Sequence, residues 1–172
     1  MRCFVGVWPD ADAMAALATV PRLEAPAVRW VPPHRWHVTL AFLGEIPDMR
    51  REQSVDALNA AAWRIDQAPV VTLGPATVAL GRSVLCVPAD GLEPAATAVR
   101  AAALEGGVAF DRTAFRGHLT LGRARRRGGA VPPDLIGVPV STGWTAREIC
   151  LIASVDGPRG VRYETLATVA VS

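Results

Sequence analysis

Two short phrases in the sequence place a histidine two residues before a threonine. The first is HVTL at residues 37–40 and the second is HLTL at residues 118–121. Two of the chain's 3 histidines therefore begin the same pattern, a histidine followed by an apolar residue, threonine and leucine. Alternate side chains of a β-strand share a face, so each histidine should project beside its threonine while the apolar residues face the core. The pattern predicts two imidazole–hydroxyl pairs, each anchored by a buried apolar face.

Two such pairs facing each other across a cleft would suit chemistry at a phosphorus atom. In-line displacement needs a base beside the incoming oxygen and an acid beside the leaving oxygen. Histidine, with an ordinary pKa of about 6.5, can fill either role, so the rate over KM is expected to peak near neutrality. Thr39 and Thr120 can donate hydrogen bonds to the non-bridging oxygens, and a nearby arginine can offset their charge. No step of this scheme requires a metal ion.

Either phrase alone favours a structural role, because apolar residues flank the histidine and threonine suits strands by its shape. Two copies at corresponding positions reverse that preference. Four arginines follow the second phrase closely in the sequence, at positions 123, 125, 126 and 127. The cluster Arg123, Arg125, Arg126 and Arg127 fits either a solvated basic loop or a phosphate-binding patch, and both interpretations stay open.

Composition places the chain among ordinary globular proteins. Of its 172 residues, 51% are hydrophobic and 20% are charged, and the net charge is +2. No apolar run reaches the roughly 18 residues of a membrane span, and the N-terminus has the pattern of a strand and a helix rather than a signal peptide. We therefore expect a cytoplasmic protein with three buried thiols, at Cys3, Cys86 and Cys150. The histidine and cysteine spacing predicts no metal site and no cofactor.

The pattern of elements predicts an α+β fold. Strands are expected at 2–8, 36–43 and 117–124, as a short strand at the start of segment 28–46, at two segments within 70–89, and at two segments near the C-terminus. Helices are expected after Asp10, from about Asp48 with one buried face (Val55, Leu58, Ala62 and Ile65), and between Pro94 and Gly106. Residues 128–140 are expected to form a loop. We predict a single domain over residues 1–172, bilobed and pseudo-symmetric, with two largely antiparallel sheets flanked by helices and a central cleft.

With its flanking segments, the sequence resembles a known family. "RWVPPHRWHVTLAFLGE", "HLTLGR" and "LIASVDGPRGVRYETLATV" are similar to the two H-x-T-x motifs and the C-terminal strand pair of the 2H phosphoesterase superfamily. The resemblance is closest to its RNA 2′,3′-cyclic phosphodiesterase branch, also called 2′-5′ RNA ligase. It covers nearly the whole chain.

This resemblance implies metal-independent hydrolysis of an RNA 2′,3′-cyclic phosphate end to a 2′-phosphate end. By analogy with the family, His37 would protonate the leaving 3′ oxygen and His118 would activate water. Thr39, Thr120 and Arg123 would bind the phosphate. The expected partner is RNA with a cyclic phosphate end, and the protein is expected to be a monomer with no obligate protein partner and no membrane association.

Three features leave alternatives open. His34 is predicted to lie at the rim of the cleft, and Trp30 and Trp36 fit either base stacking or burial in the core. A related enzyme could act on a small cyclic phosphate, such as ADP-ribose cyclic phosphate, or on a short 2′-5′ oligonucleotide. A catalytically idle RNA-binding module is the alternative from another class, and the intact histidines and threonines argue against it.

Overall fold

Within the residues that the structure describes, ten strands and three helices make up the fold. The computed structural model describes residues 1–22, 27–125, 128–158 and 160–172. The strands are β1 (Arg2–Val7), β2 (Val28–Trp30), β3 (Val38–Glu45), β4 (Val70–Leu73), β5 (Val78–Leu80), β6 (Val84–Asp90), β7 (His118–Ala124), β8 (Thr142–Thr145), β9 (Glu148–Val155) and β10 (Arg162–Ala170). The helices are α1 (Ala11–Ala18), α2 (Arg51–Ala62) and α3 (Glu93–Glu105). Single 3-10 turns cover Pro33–Arg35, Asp48–Arg50 and Pro133–Leu135.

The strands form two half-sheets that meet between β3 and β7. The first half has the order β10-β9-β1-β3 and the second has the order β7-β6-β4-β8, with β2 paired to β7 and β5 paired to β6. One residue pair, Val38 with Leu119, joins the two halves. Every strand pair among the described residues is antiparallel, which confirms the predicted α+β class with largely antiparallel sheets.

The chain crosses between the two half-sheets. Helices α2 and α3 pack against each other and cover the first half through β9, β10 and β3, while α1 contacts β8 of the second half. Strands from both ends of the chain therefore build the first half-sheet. The two half-sheets are not the two halves of the sequence, yet each one carries a different histidine phrase.

Helix boundaries follow the local signals in the sequence. The Asp10 carboxylate accepts a hydrogen bond from the Ala13 backbone N–H at 2.8 Å and caps α1. Helix α3 has its proline in the first turn and ends immediately before Gly106, as expected. The buried face of α2 agrees with the prediction in part, because Leu58 is fully buried while Val55 and Ala62 pack against the core only partly buried. It consists of Ser54, Ala57, Leu58 and Ala61, while Ile65 packs on the core from beyond the helix end.

Two strands differ from the sequence prediction. Residues 70–80, expected to form one strand, divide into β4 and β5 at Gly74–Pro75. Proline has no N–H for the ladder, and a Cβ on Gly74 would lie 2.4 Å from the Val140 carbonyl oxygen. Strand β8 was not predicted, because its sequence TGWT is short and mixes polar and apolar residues. It forms the edge of the second half-sheet beside β4.

The core runs continuously under both half-sheets. All three cysteines are buried free thiols, as predicted, and burial raises the pKa of each. Trp36 is also part of the core, with 2% of its surface exposed, and its indole N–H donates to the Val31 carbonyl at 3.1 Å. Of the two roles open to Trp36, burial is therefore the correct one. None of the helices that the structure describes is long and apolar enough to cross a bilayer.

Candidate active site

The two histidine phrases lie side by side where the half-sheets meet. Because β3 and β7 are antiparallel with Val38 opposite Leu119, the register sets His37 beside Thr120 and Thr39 beside His118. The alternate residues of both phrases belong to the core and are at most 2% exposed: Val38, Leu40, Leu119 and Leu121. The alternation expected from the sequence therefore places both imidazole–hydroxyl pairs on the same face.

That face forms the wall of a cavity of about 250 Å³. All five residues predicted for the site line it: His37, Thr39, His118, Thr120 and Arg123. The structure thus brings together residues far apart in the sequence, and their individual chemical roles stay predictions. The same cavity is lined by Arg2, Arg35 and Tyr163, which the sequence analysis did not select.

Both histidine rings are oriented by the backbone two residues earlier. The distance from His37 Nδ1 to the Arg35 carbonyl oxygen is 2.7 Å, and that from His118 Nδ1 to the Arg116 carbonyl oxygen is also 2.7 Å. A carbonyl oxygen can only accept, so each Nδ1 carries the proton. When a ring is neutral, Nε2 holds its free lone pair and can accept a proton. Both histidines that line the cavity, His37 and His118, therefore have the same tautomer.

Aromatic side chains surround His37. Its ring centroid lies 4.7 Å from that of Phe4, 5.8 Å from that of Trp8 and 5.2 Å from that of Tyr163, which meets it edge-on at 87°. Burial among these rings lowers the pKa of His37 to about 4, with smaller effects in the same direction from Arg35, His118 and Arg123. The hydrogen bond to the Arg35 carbonyl opposes this shift but does not cancel it.

In the free protein, His37 is therefore neutral at pH 7. A proton donor must carry its proton when it reacts, so the acid role inferred from the family resemblance requires His37 to be protonated in the complex with substrate. The same observation moves the expected maximum of the rate over KM from neutrality toward acidic pH, because that quantity reports on the free protein.

The cavity is positively charged. Three arginines line it, and no aspartate or glutamate is among its described lining residues. In the described part of the chain, Arg35 and Arg123 form no salt bridge, whereas Arg2 lies 3.8 Å from the exposed carboxylate of Glu45. Cations without carboxylate partners favour an anionic ligand, and arginine suits phosphate in particular.

The strand register explains why residues from the chain termini reach this cavity. Arg2 pairs with Ser154 across β1 and β9, and Ser154 pairs with Tyr163 across β9 and β10. The three residues form a row across the first half-sheet, and all of them line the cavity. Sequence reasoning missed Tyr163 because the segment around it was interpreted only as a strand pair, with no residue of it assigned to the site. The chain has 1 tyrosine, and this rarity was the available signal.

Other candidates from the sequence lie outside this cavity. His34 is exposed on the turn before β3 and does not line it. Trp30 is half-buried and packs against the core. Arg125 is exposed, while Arg126 and Arg127 lie outside the described residues. No group of three or more possible metal ligands occurs in the described parts of the chain.

The fold and the first phrase have counterparts among known proteins. The family model described as LigT like Phosphoesterase matches residues 7–74, which include the first phrase but not the second. Comparison with curated protein sequences gives no match.

Solved structures match over almost the whole chain. The protein TT0787 of Thermus thermophilus has a TM-score of 0.81 and 26% identity, covering 99% of this chain and 98% of that one. LigT of E. coli in its apo form has a TM-score of 0.74 and 26% identity, covering 99% and 97%. The MHV ns2 PDE domain, at 12% identity and a TM-score of 0.61, shares the fold, covering 96% and 99%. The chain therefore has a LigT-like fold and is similar to LigT-like phosphoesterases.

Proposed function

We propose that this protein is a phosphodiesterase that hydrolyses RNA 2′,3′-cyclic phosphate ends to 2′-phosphate ends without a metal ion. One observation carries the proposal: two histidines of the same tautomer and two threonines line one cationic cavity. The similarity to LigT-like phosphoesterases supports phosphodiester chemistry in general. LigT of E. coli has been crystallised with 3′-AMP and with phosphate, and both ligands resemble parts of an RNA end.

In the proposed reaction, water attacks phosphorus while the bond to the 3′ oxygen breaks. Nε2 of His118 accepts a proton from the water, and Nε2 of His37 donates a proton to the leaving 3′ oxygen. The product carries a 2′-phosphate and a free 3′ hydroxyl. Thr39 and Thr120 donate hydrogen bonds to the non-bridging oxygens, and Arg123 offsets their charge.

Substrate binding also favours protonation of His37, the proposed acid. The cyclic phosphodiester is an anion, and it enters a cavity where arginines contribute to the low pKa of His37. Its negative charge offsets theirs and favours the protonated ring. His37 can then take up a proton when the substrate arrives. The opposite requirement holds for His118, which must be neutral to act as base.

The protein is proposed to act as a cytoplasmic monomer on RNA ends, with no obligate partner. The test is a comparison of substrates: an RNA oligonucleotide ending in 2′,3′-cyclic phosphate, ADP-ribose cyclic phosphate, and a 2′-5′-linked dinucleotide. The proposal requires the highest kcat/KM on the RNA end. A higher value on either small substrate would assign the enzyme to that substrate instead, and binding without turnover would make it an RNA-binding module.

A further inference from the structure

The side chain of Arg35 is held in place on the cavity wall. Its guanidinium lies over the Tyr163 ring, 4.7 Å from the centroid, and its Nη2 is 3.5 Å from the Tyr163 hydroxyl oxygen. Tyr163 in turn contacts His37 edge-on. The carbonyl of Arg35 also accepts the hydrogen bond that orients the His37 ring. One residue therefore positions the histidine through its backbone and brings a cation to the same cavity through its side chain.

Within the part of the chain that the structure describes, the charge of this guanidinium has no carboxylate to balance it. No aspartate or glutamate oxygen lies within 4.0 Å of Arg35 in the described parts of the chain, and its buried Nε has no hydrogen-bond partner there. A partly buried cation without a counter-ion is costly, and its cost falls when an anion binds beside it. Tyr163 stacking also restricts the side chain, so that less entropy is lost when a ligand is bound.

We propose that Arg35 is a second phosphodiester-binding side chain, which contacts the anionic substrate from the first half-sheet while Arg123 contacts it from the second. This inference rests on the proposed function for its choice of substrate. Arg123 belongs to β7, whereas Arg35 ends the turn that leads into β3. The scissile phosphate would therefore be held by one arginine from each side of the junction where the two half-sheets meet.

The surroundings of His37 agree with an anion at this position. The charged or titratable groups that face it are Arg35 before β3, His118 and Arg123 from β7, and Tyr163 from β10, with Arg2 and Cys3 of β1 lining the same cavity. None of these is a carboxylate. An anion held between Arg35 and Arg123 would supply the missing negative charge next to the proposed acid.

The test compares Arg35→Met, which keeps an apolar chain but removes the charge, with Arg35→Lys, which keeps the charge. The matched control is Arg147→Met, because Arg147 is exposed and does not line the cavity. The measurements are the Kd for inorganic phosphate by calorimetry and the KM and kcat on RNA ending in cyclic phosphate. We expect Arg35→Met to raise both Kd and KM by about 10-fold or more, with a smaller change in kcat. Arg35→Lys should recover part of the loss and Arg147→Met should match the wild type.

The inference is overturned if folded Arg35→Met keeps Kd and KM within about 2-fold of the wild type, since Arg35 would then only pack on Tyr163. Should Arg35→Met fail to fold, Arg35→Lys and Arg35→Gln allow the same comparison between a charged and a neutral side chain. Failure of the proposed function looks different. A wild-type protein that hydrolyses no cyclic phosphate, with phosphate binding that still depends on Arg35, would refute the function and support the anion site.

Discussion

The two histidines occupy equivalent positions but different surroundings. Both donate from Nδ1 to a carbonyl two residues earlier, and both line the same cavity. His37 alone is enclosed by the rings of Phe4, Trp8 and Tyr163. Environment, rather than the motif, therefore distinguishes the two rings. The sequence could predict the pair but not this difference, because Phe4 and Tyr163 come from opposite ends of the chain.

Replacing either cavity histidine should remove most of the activity. We expect His37→Ala and His118→Ala each to reduce kcat/KM on an RNA cyclic phosphate end by at least about 10²-fold, because acid and base act in the same step. His34→Ala is the matched control, since His34 is exposed and outside the cavity. A folded variant at either cavity position with a near wild-type rate would rule out the two-histidine mechanism.

The low pKa of His37 should be visible in the pH dependence. Its folded-state value of about 4 lies below the ordinary 6.5, so the ring loses its proton early as pH rises. The lower of the two apparent pKa values of kcat/KM, which reports the free protein and belongs to the coupled pair, should therefore lie near 4. The corresponding apparent pKa of kcat, which reports the complex with substrate, should be higher, because the bound anion favours the protonated ring of His37.

Measuring both parameters from pH 3.5 to 9 on the same substrate tests this difference. Since the rings share one cavity, the limbs belong to the coupled pair. Superimposed profiles for kcat and kcat/KM, with a common limb near the ordinary pKa of histidine, would show that substrate does not change the protonation of His37. A rate that rises steadily up to pH 9 would indicate direct hydroxide attack instead.

Strands β3 and β7 determine the geometry of the site. Their contact is one registered pair, and it falls between each histidine and its threonine. The position before β7 is tightly packed, because a Cβ on Gly117 would lie 2.0 Å from the Ala89 carbonyl oxygen. The carbonyl of Gly117 itself accepts a hydrogen bond from the Ala89 backbone N–H at 3.0 Å. A side chain at Gly117 must therefore displace the strand that begins at His118.

We expect Gly117→Ala to destabilise the fold by about 1–3 kcal/mol and to reduce kcat more than the loss of stability explains. The matched control is Gly157→Ala, whose Cβ would meet its nearest atom at 3.4 Å, an ordinary contact. Denaturant unfolding and steady-state kinetics on both variants measure the two effects. Unchanged kcat in a folded Gly117→Ala protein would show that the start of β7 does not set the position of His118.

Element prediction succeeded where the signal is local. The cap at Asp10, the proline and glycine that bound α3, and the alternation in β3 and β7 each depend on a few adjacent residues. The break between β4 and β5 had a local signal, Gly74–Pro75, that the prediction did not use, whereas strand β8 depends on pairing with the distant β4, so the sequence pattern did not reveal it. For the same reason Arg35 and Tyr163 were missed, since their importance arises from a contact between residues far apart in the chain.

At the scale of the whole molecule, the fold joins two half-sheets so that each contributes one imidazole, one threonine and at least one arginine to the cavity. Positive charge is supplied by arginine rather than by a bound ion in the proposed mechanism. Activity should therefore survive dialysis against excess EDTA, measured as the initial rate on RNA ending in cyclic phosphate. Loss of activity that added Mg²⁺ or Mn²⁺ restores would require a metal-dependent mechanism.

The most direct test of the proposed reaction is the identity of its product. An RNA dinucleotide ending in 2′,3′-cyclic phosphate is incubated with the protein and followed by ³¹P nuclear magnetic resonance. Because His37 is proposed to protonate the 3′ oxygen, the cyclic phosphate signal should convert to a single 2′-phosphate signal, and His37→Ala should slow that conversion by at least about 10²-fold. A 3′-phosphate product, or a cyclic phosphate that persists in the presence of folded protein, would contradict the account.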